Sequence, residues 1–202
     1  VRDWDTLIAV GDTTRYVGDA VALAVAETAG ALEEILALID VTYQELVPLT
    51  SPEEALAEGA PAIHEGGNLL KLEHLQRGDV DSAIAEAAHV VTRHYSVPFT
   101  EHAFMEPECA IAIPEGEDGI LLYTGGQSIY DEQREISGML GVPPEKIHVI
   151  PKLVGGGFGG KEDMSVPHHA ALAAWVHRPP VKIKLSRAPR LNIHPTTPAM
   201  EI

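Results

Sequence analysis

The sequence has a single cysteine, Cys109, among 202 residues. That excludes an internal disulfide within this stretch and any cluster built on several cysteines; Cys109 reads as a small buried hydrophobe. Positive charge is scarce as well, with 14 Lys and Arg against 30 Asp and Glu and a net charge of −16. A nucleic-acid partner does not fit such a balance, because its phosphates need basic neutralisation. Long apolar runs are missing too. The longest, Ala20 to Ala26, falls far short of the roughly 20 residues a membrane-spanning helix needs. No basic-then-apolar leader pattern opens the chain, so a cytoplasmic protein with no membrane partner is expected. The first residue is Val1 rather than Met, which reads as a piece cut from a longer chain.

What is present suits one large domain or two small ones, since 45% of the residues are hydrophobic and supply a core. The charge is unevenly spread. Residues 1–100 hold 5 Lys and Arg against 17 Asp and Glu, whereas residues 151–202 hold 7 against 3. The basic end also carries the densest glycine run, Leu153-Val154-Gly155-Gly156-Gly157-Phe158-Gly159-Gly160-Lys161-Glu162, with five glycines in six positions. Glycine at that density is kept where backbone takes a positive φ or approaches a ligand closely. A strand before it and a helix after it would leave backbone N–H groups free for an anion.

Periodicity predicts a mixed α+β chain. Arg15 to Ala26 reads as a buried strand, Thr28 caps a helix carrying Leu32, Ile35, Leu36 and Ile39, and Val41 to Leu46 follows as a strand, together a βαβ unit. Ser51-Pro52-Glu53-Glu54 opens a short helix. Ala60 to Gly67 reads as a linker, Asp79 to Ala88 as a capped helix and Val90 to Phe99 as a long strand. Ala110 to Ile113 and Ile120 to Thr124 are a strand pair around Pro114 to Gly119. Ser128 to Leu140 is a helix with Ser128 and Asp131 as a capping box, stopped by Gly141 and Pro143-Pro144. Lys146 to Leu153 reads as a strand. His168, Ala171, Leu172 and Trp175 share a helix face that ends near His177, and Val181 to Leu185 closes the pattern as a strand with outward lysines.

Several chemistries compete for the glycine run. Gly155 to Gly160 satisfies G-x-G-x-x-G, but Pro151 and Lys152 interrupt the strand before it. The acidic residue a dinucleotide site wants about 20 positions on is replaced by Ser186 and Arg187, compatible only with an NADP-type site. A P-loop fails because Glu162 stands where a Ser or Thr hydroxyl would hold magnesium. A tight turn without a ligand is the plain alternative, and Glu162 taken alone is a helix-start carboxylate. Adjacent His168 and His169 cannot share one helix face as zinc ligands, so His168 reads as core. His102 and Glu106 have i, i+4 spacing, but Pro98 and Pro107 argue against the regular helix that metal ligation there would need. Gln127, alone, reads as a loop amide.

Taken together, Glu101-His102-Ala103-Phe104-Met105-Glu106-Pro107-Glu108, Gly126-Gln127-Ser128 and Gly155 to Glu162 resemble, in order and spacing, the molybdenum-binding subunit of the xanthine dehydrogenase and aldehyde oxidase family. The likeness runs from about Thr14 to Arg187, with Arg15-Tyr16-Val17-Gly18-Asp19 also family-like. It implies a hammerhead-like α/β domain over residues 1–66 and the first part of a mixed α/β molybdopterin-binding domain over 67–202. It further implies a molybdopterin cofactor, its cytosine dinucleotide form left open, that hydroxylates a carbon with oxygen from water, with FAD and [2Fe-2S] centres in other domains or subunits. By the same resemblance Gln127 and Phe158 face the metal's ligands without binding it directly, and Gly156, Gly157, Gly159 and Gly160 complete the cofactor cradle. Glu162 then binds a purine or related N-heterocycle and stabilises charge on it; an aldehyde is the alternative substrate. The family's general-base glutamate lies beyond this stretch, so the chain is expected to need the remainder of its own polypeptide for activity. Two readings from other classes stay open, an NADP-binding Rossmann-type domain and a non-catalytic assembly module.

Overall fold

The computed structural model describes residues 5–162, 165–186 and 199–202. Arg187, weighed above, lies outside them. The helices are α1 (Ala29–Ala37), α2 (Pro52–Leu56), α3 (Val80–Glu86), α4 (Ile129–Leu140) and α5 (Ser165–His177). The strands are β1 (Ser96–Val97), β2 (Cys109–Glu115), β3 (Gly119–Thr124), β4 (Ile147–Pro151), β5 (Val181–Lys184) and β6 (Met200–Glu201). Two compact units form, one from residues 1–42 with 99–198 and the other from 43–98 with 199–202. The boundary expected near residue 66 falls inside the second.

In the first unit a four-stranded sheet has the order β4-β3-β2-β5. The expected hairpin is its centre, with Ala110 opposite Thr124 and Glu115 opposite Gly119. β5 adds antiparallel to β2, and β4 adds parallel to β3 after the α4 crossover. Pro151 ends β4 rather than interrupting it, which an edge strand tolerates because an edge backbone N–H has no obligatory partner. Ala110, Ala112, Ile120, Leu122 and Ile147 meet Ile136 of α4 and Val166, Ala170, Ala171, Ala173 and Ala174 of α5 in one core. Ile120, Leu122, Ile136 and Ile147 are fully buried, each stabilising the fold by roughly 1.5–3 kcal/mol.

Helix α5 spans the expected residues, with Pro167 accommodated in its first turn. Its buried face is shifted from the expected stripe. Alanines fill it, while Leu172 and Trp175 are only half-buried, because small side chains let a helix lie close against a sheet. The cap of α4 also differs. Ser128 directs its hydroxyl to the Asp131 carboxylate and makes no side-chain bond to a backbone N–H, whereas the C-terminal Gly141 adopts the left-handed conformation (φ 69°) that ends the helix as expected.

Three expected strands are corrected. Arg15 to Ala26 and Val41 to Leu46 form no ladder, so no βαβ unit exists there among the described residues. The long strand at Val90 to Phe99 reduces to β1, paired only with β6. A strand needs a neighbour's backbone, and β propensity alone provides none. The first of these segments still contributes to the first unit: the Ile8 N–H donates to the Ala20 carbonyl, and Leu23 and Val25 pack against the core. The helix signals, being local, hold. Thr28, Ser51 and Asp79 cap α1, α2 and α3 by accepting from the N–H groups of Ala31, Glu54 and Ser82. The stripe of α1 is formed but not covered, since Ile35, Leu36 and Ile39 are exposed.

Candidate functional site

Parallel strands β3 and β4 end side by side, and the Lys152 N–H donates to the Thr124 carbonyl at 2.8 Å where they part. Two loops leave this edge: Gly125-Gly126-Gln127 into α4, and the glycine run toward α5. The carboxyl end of parallel strands is where open α/β sheets place ligands. In the run, Gly156 and Gly159 have φ of 93° and 91°, and Phe158, at 55°, is one of three described non-glycine residues with positive φ. The Phe158 ring is exposed.

Two groups clamp the run from opposite sides. The Gln127 side-chain oxygen accepts from the N–H groups of Gly159 at 3.2 Å and Lys161 at 3.1 Å, and the Gln127 backbone N–H donates to the Lys161 carbonyl at 2.9 Å. A β-carbon on Gly157 would lie 2.2 Å from that oxygen, so any other residue there would displace the Gln127 side chain. On the other side the Glu106 carboxylate accepts from the Gly155 N–H and, at 2.8 Å, from the buried Lys161 ammonium. The Lys161 bond, then the Gly155 bond, holds the Glu106 carboxyl below the usual carboxylate range. Lys161 also stands 4.6 Å over the Phe104 ring, a further hold on the cation. Phe104 and His102 close the floor, 2.9 and 2.7 Å from where a β-carbon on Gly160 would sit.

These bonds use the ends of the run and spare its middle. Gly160 and Glu162 donate within the loop to Gly157 and Gly159. Among the described residues, no acceptor faces the N–H groups of Gly156, Gly157 or Phe158. Because the Gln127 oxygen is engaged, that side chain offers its NH2 as the remaining hydrogen-bonding group. The Nδ1 atom of His102 is buried beside Gly160 without a partner. A set of neutral donors beside backbone stripped of β-carbons fits an anionic group of some size.

The expected site residues Gln127, Gly156, Gly157, Phe158, Gly159 and Gly160 therefore meet at one edge of the sheet. Gly159 differs from the expectation in having its N–H committed to Gln127. Glu162 is exposed at the end of the run, just ahead of α5. Sequence reasoning missed Glu106, Lys161 and Phe104 as parts of the site. The available signal was the glycine density itself, since five missing β-carbons imply several side chains crowding one loop. A dinucleotide fold is disfavoured by topology: the strand after α5, β5, lies at the far edge and pairs with antiparallel β2, whereas a Rossmann unit sets its next strand in parallel close by.

The family described as molybdopterin cofactor-binding domain matches residues 63–202. The chain belongs to that family. This cofactor-binding chain is 38% identical over 176 residues to a probable xanthine dehydrogenase subunit of Bacillus subtilis, covering 87% of this chain and 24% of that protein. It is 36% identical over 192 residues to the nicotinate dehydrogenase large molybdopterin subunit of Eubacterium barkeri, covering 93% of this chain and 45% of that one. Among solved structures, quinoline 2-oxidoreductase of Pseudomonas putida superposes with a TM-score of 0.73 at 26% identity, over 82% of this chain and 21% of the other. The molybdopterin-binding chain thus spans less than half the length of these relatives. No described helix is long and apolar enough to cross a membrane.

Proposed function

We propose that the complete protein is a molybdenum hydroxylase acting on a purine or related N-heterocycle, and that this chain supplies part of its cofactor and substrate pocket. The observation that carries the reading is the Gln127 side chain, whose oxygen is saturated by the Gly159 and Lys161 N–H groups. That fixes its amide NH2 as a donor beside the three spare N–H groups of residues 156–158. Gln127 and the Phe158 backbone would donate to the molybdopterin group, with Gly156, Gly157, Gly159 and Gly160 leaving room for it. When bound, that group supplies the oxidation of a substrate carbon with oxygen drawn from water. The chain's own contribution is preorganised donors, which stabilise developing negative charge without reorganising. Glu162, exposed at the rim, would hydrogen-bond the heterocycle.

The substrate class draws support from the relatives, whose names refer to xanthine, nicotinate and quinoline, all N-heterocycles. The proposal extends to a hammerhead-like role for residues 1–66, to FAD and [2Fe-2S] partners, to a cytoplasmic setting, and to inactivity of the 202-residue chain without its general base. Elemental analysis of the complete purified protein tests the core of it, with molybdenum expected at close to one atom per chain; its absence overturns the reading. Turnover is then measured with xanthine, nicotinate and benzaldehyde. Glu162→Ala is expected to lower kcat/KM for the heterocycle at least 10-fold, the scale of one hydrogen bond to a charged group, with molybdenum content unchanged. Preference for benzaldehyde, or an unaffected variant, removes the heterocycle assignment.

A further inference from the structure

A second layer lies beneath Gln127. Thr124 ends β3 and Glu132 stands in the first turn of α4, and each is only 2% exposed. The Gly126 N–H donates to the Thr124 hydroxyl at 2.9 Å, and that hydroxyl donates to Oε1 of Glu132 at 3.2 Å. A β-carbon on Gly126 would lie 1.7 Å from the same Glu132 oxygen, so the carboxyl group is seated directly under the turn that presents Gln127. The other Glu132 oxygen, Oε2, is buried with no hydrogen-bond partner. The small cavity that Glu132 lines is also lined by Glu108, the residue before β2, Lys161 of the glycine run and Val166 of α5.

We propose that Glu132 is a positioning residue that sets Gln127 through Thr124 and Gly126, and that it does so as a neutral carboxylic acid. Three observations support this. The relay leads from Glu132 to the residue adjacent to Gln127, and the Glu132 carboxyl lies in direct contact with Gly126 of that turn. The carboxyl accepts its one bond from a neutral hydroxyl and is itself only 2% exposed, and a buried charge without a bonded counter-ion is costly. Burial pushes its titration up to about 7, so the carboxyl keeps its proton below neutral pH. The catalytic part of the inference rests on Gln127 contacting the cofactor; the positioning part does not.

The test uses the complete protein and five variants, Glu132→Ala, Glu132→Gln, Thr124→Val, Gln127→Ala and the double variant Glu132→Ala with Gln127→Ala. Backbone hydrogen exchange at residue level reads the positioning whether or not cofactor is bound. Glu132→Ala and Thr124→Val are expected to speed exchange at least 10-fold at Gly126, Gln127, Gly159 and Lys161, while Glu132→Gln stays within about 3-fold of the parent. Should Glu132→Ala misfold, Thr124→Val, which keeps side-chain shape and removes the hydroxyl, carries the same readout. In turnover of xanthine, nicotinate or benzaldehyde, whichever is fastest, Glu132→Ala and Gln127→Ala are each expected to lower kcat about 10-fold with KM within 2-fold. The double variant should be no worse than either alone, because residues acting through one another are non-additive. Unchanged exchange at Gly159 and Lys161 overturns the proposal, as does Glu132→Gln behaving like Glu132→Ala, or full additivity. If the exchange pattern holds but Gln127→Ala turns over normally, the positioning stands and the cofactor role of Gln127 falls.

Discussion

The two sides of the glycine run are held by different physics. On one side a neutral amide oxygen, that of Gln127, accepts two backbone N–H groups. On the other an ionised carboxylate, Glu106, accepts one N–H group and an ammonium. Lys161 belongs to both, giving its backbone N–H to Gln127 and its side chain to Glu106. The Gln127 amide itself neither titrates nor is screened by salt, and it leaves its NH2 as a directed donor. The charged side is strong because Lys161 is buried, but it is bound to pH. A loop built to approach an anionic group gains from having its cation consumed by Glu106, so that recognition is left to oriented neutral donors rather than to a mobile charge.

The sharpest way to break the neutral side is Gly157→Ala. Its methyl would stand 2.2 Å from the Gln127 oxygen, and the Gln127 side chain must move by an ångström or more. Turnover of the complete enzyme is expected to fall about 100-fold, the usual cost of such a misplacement, with the sheet's thermal unfolding little changed. On the charged side, Glu106→Gln leaves the buried Lys161 ammonium without a counter-charge. Removing one partner of a buried pair costs about 3–5 kcal/mol; the Glu106 side chain is 42% exposed, so water offsets part of that, and about 2 kcal/mol is expected by urea unfolding. The difference is pH-dependent. Because the folded-state pKa of Glu106 is depressed, its contribution is present above the unfolded value and lost as pH falls through the folded one. Parent and variant should therefore converge in acid, and parallel curves would show that the Lys161 pair does not set the stability of this side.

How much of this was legible in the sequence follows from the range of each interaction. Thr28, Ser51, Asp79 and Gly141 mark helix ends correctly because a cap is satisfied within four residues. The hairpin of β2 and β3 was legible because its partners are adjacent in the chain. Arg15 to Ala26, Val41 to Leu46 and most of Val90 to Phe99 were misread because a strand is defined by a neighbour that alternation cannot name. At the site, Gln127 and the glycine run were visible as spaced motifs. Glu106 lies 55 residues from Lys161, and nothing in either residue's surroundings announces the pair. Glu132 was invisible for a different reason: a glutamate in the first turn of a helix is an ordinary dipole-favoured, solvated residue, and only burial beneath Gly126 makes it otherwise.

Glu132 separates the two sides most cleanly, since its pH dependence runs opposite to that of Glu106. Burial raises its folded-state pKa from 4.5 to about 7, against the Thr124 bond, which favours the charged form. A carboxyl shifted this way contributes stability fully present below the unfolded pKa and lost as pH rises through the folded value. The groups facing it are Thr124 from β3, Glu108 from just before β2 and Lys161 from the glycine run. The parent should thus lose roughly 2–3 kcal/mol between pH 5 and pH 8 relative to Glu132→Gln, which cannot ionise, as read by urea unfolding at the two pH values. Over the same interval Glu106→Gln should show a constant offset from the parent, because Glu106 is already ionised throughout it. A Glu132→Gln curve parallel to the parent's would mean that Glu132 is charged in the fold. The neutral side of the loop would then rest on a second buried ion, and with both carboxyl groups ionised across the whole interval the two sides would no longer differ in their response to pH.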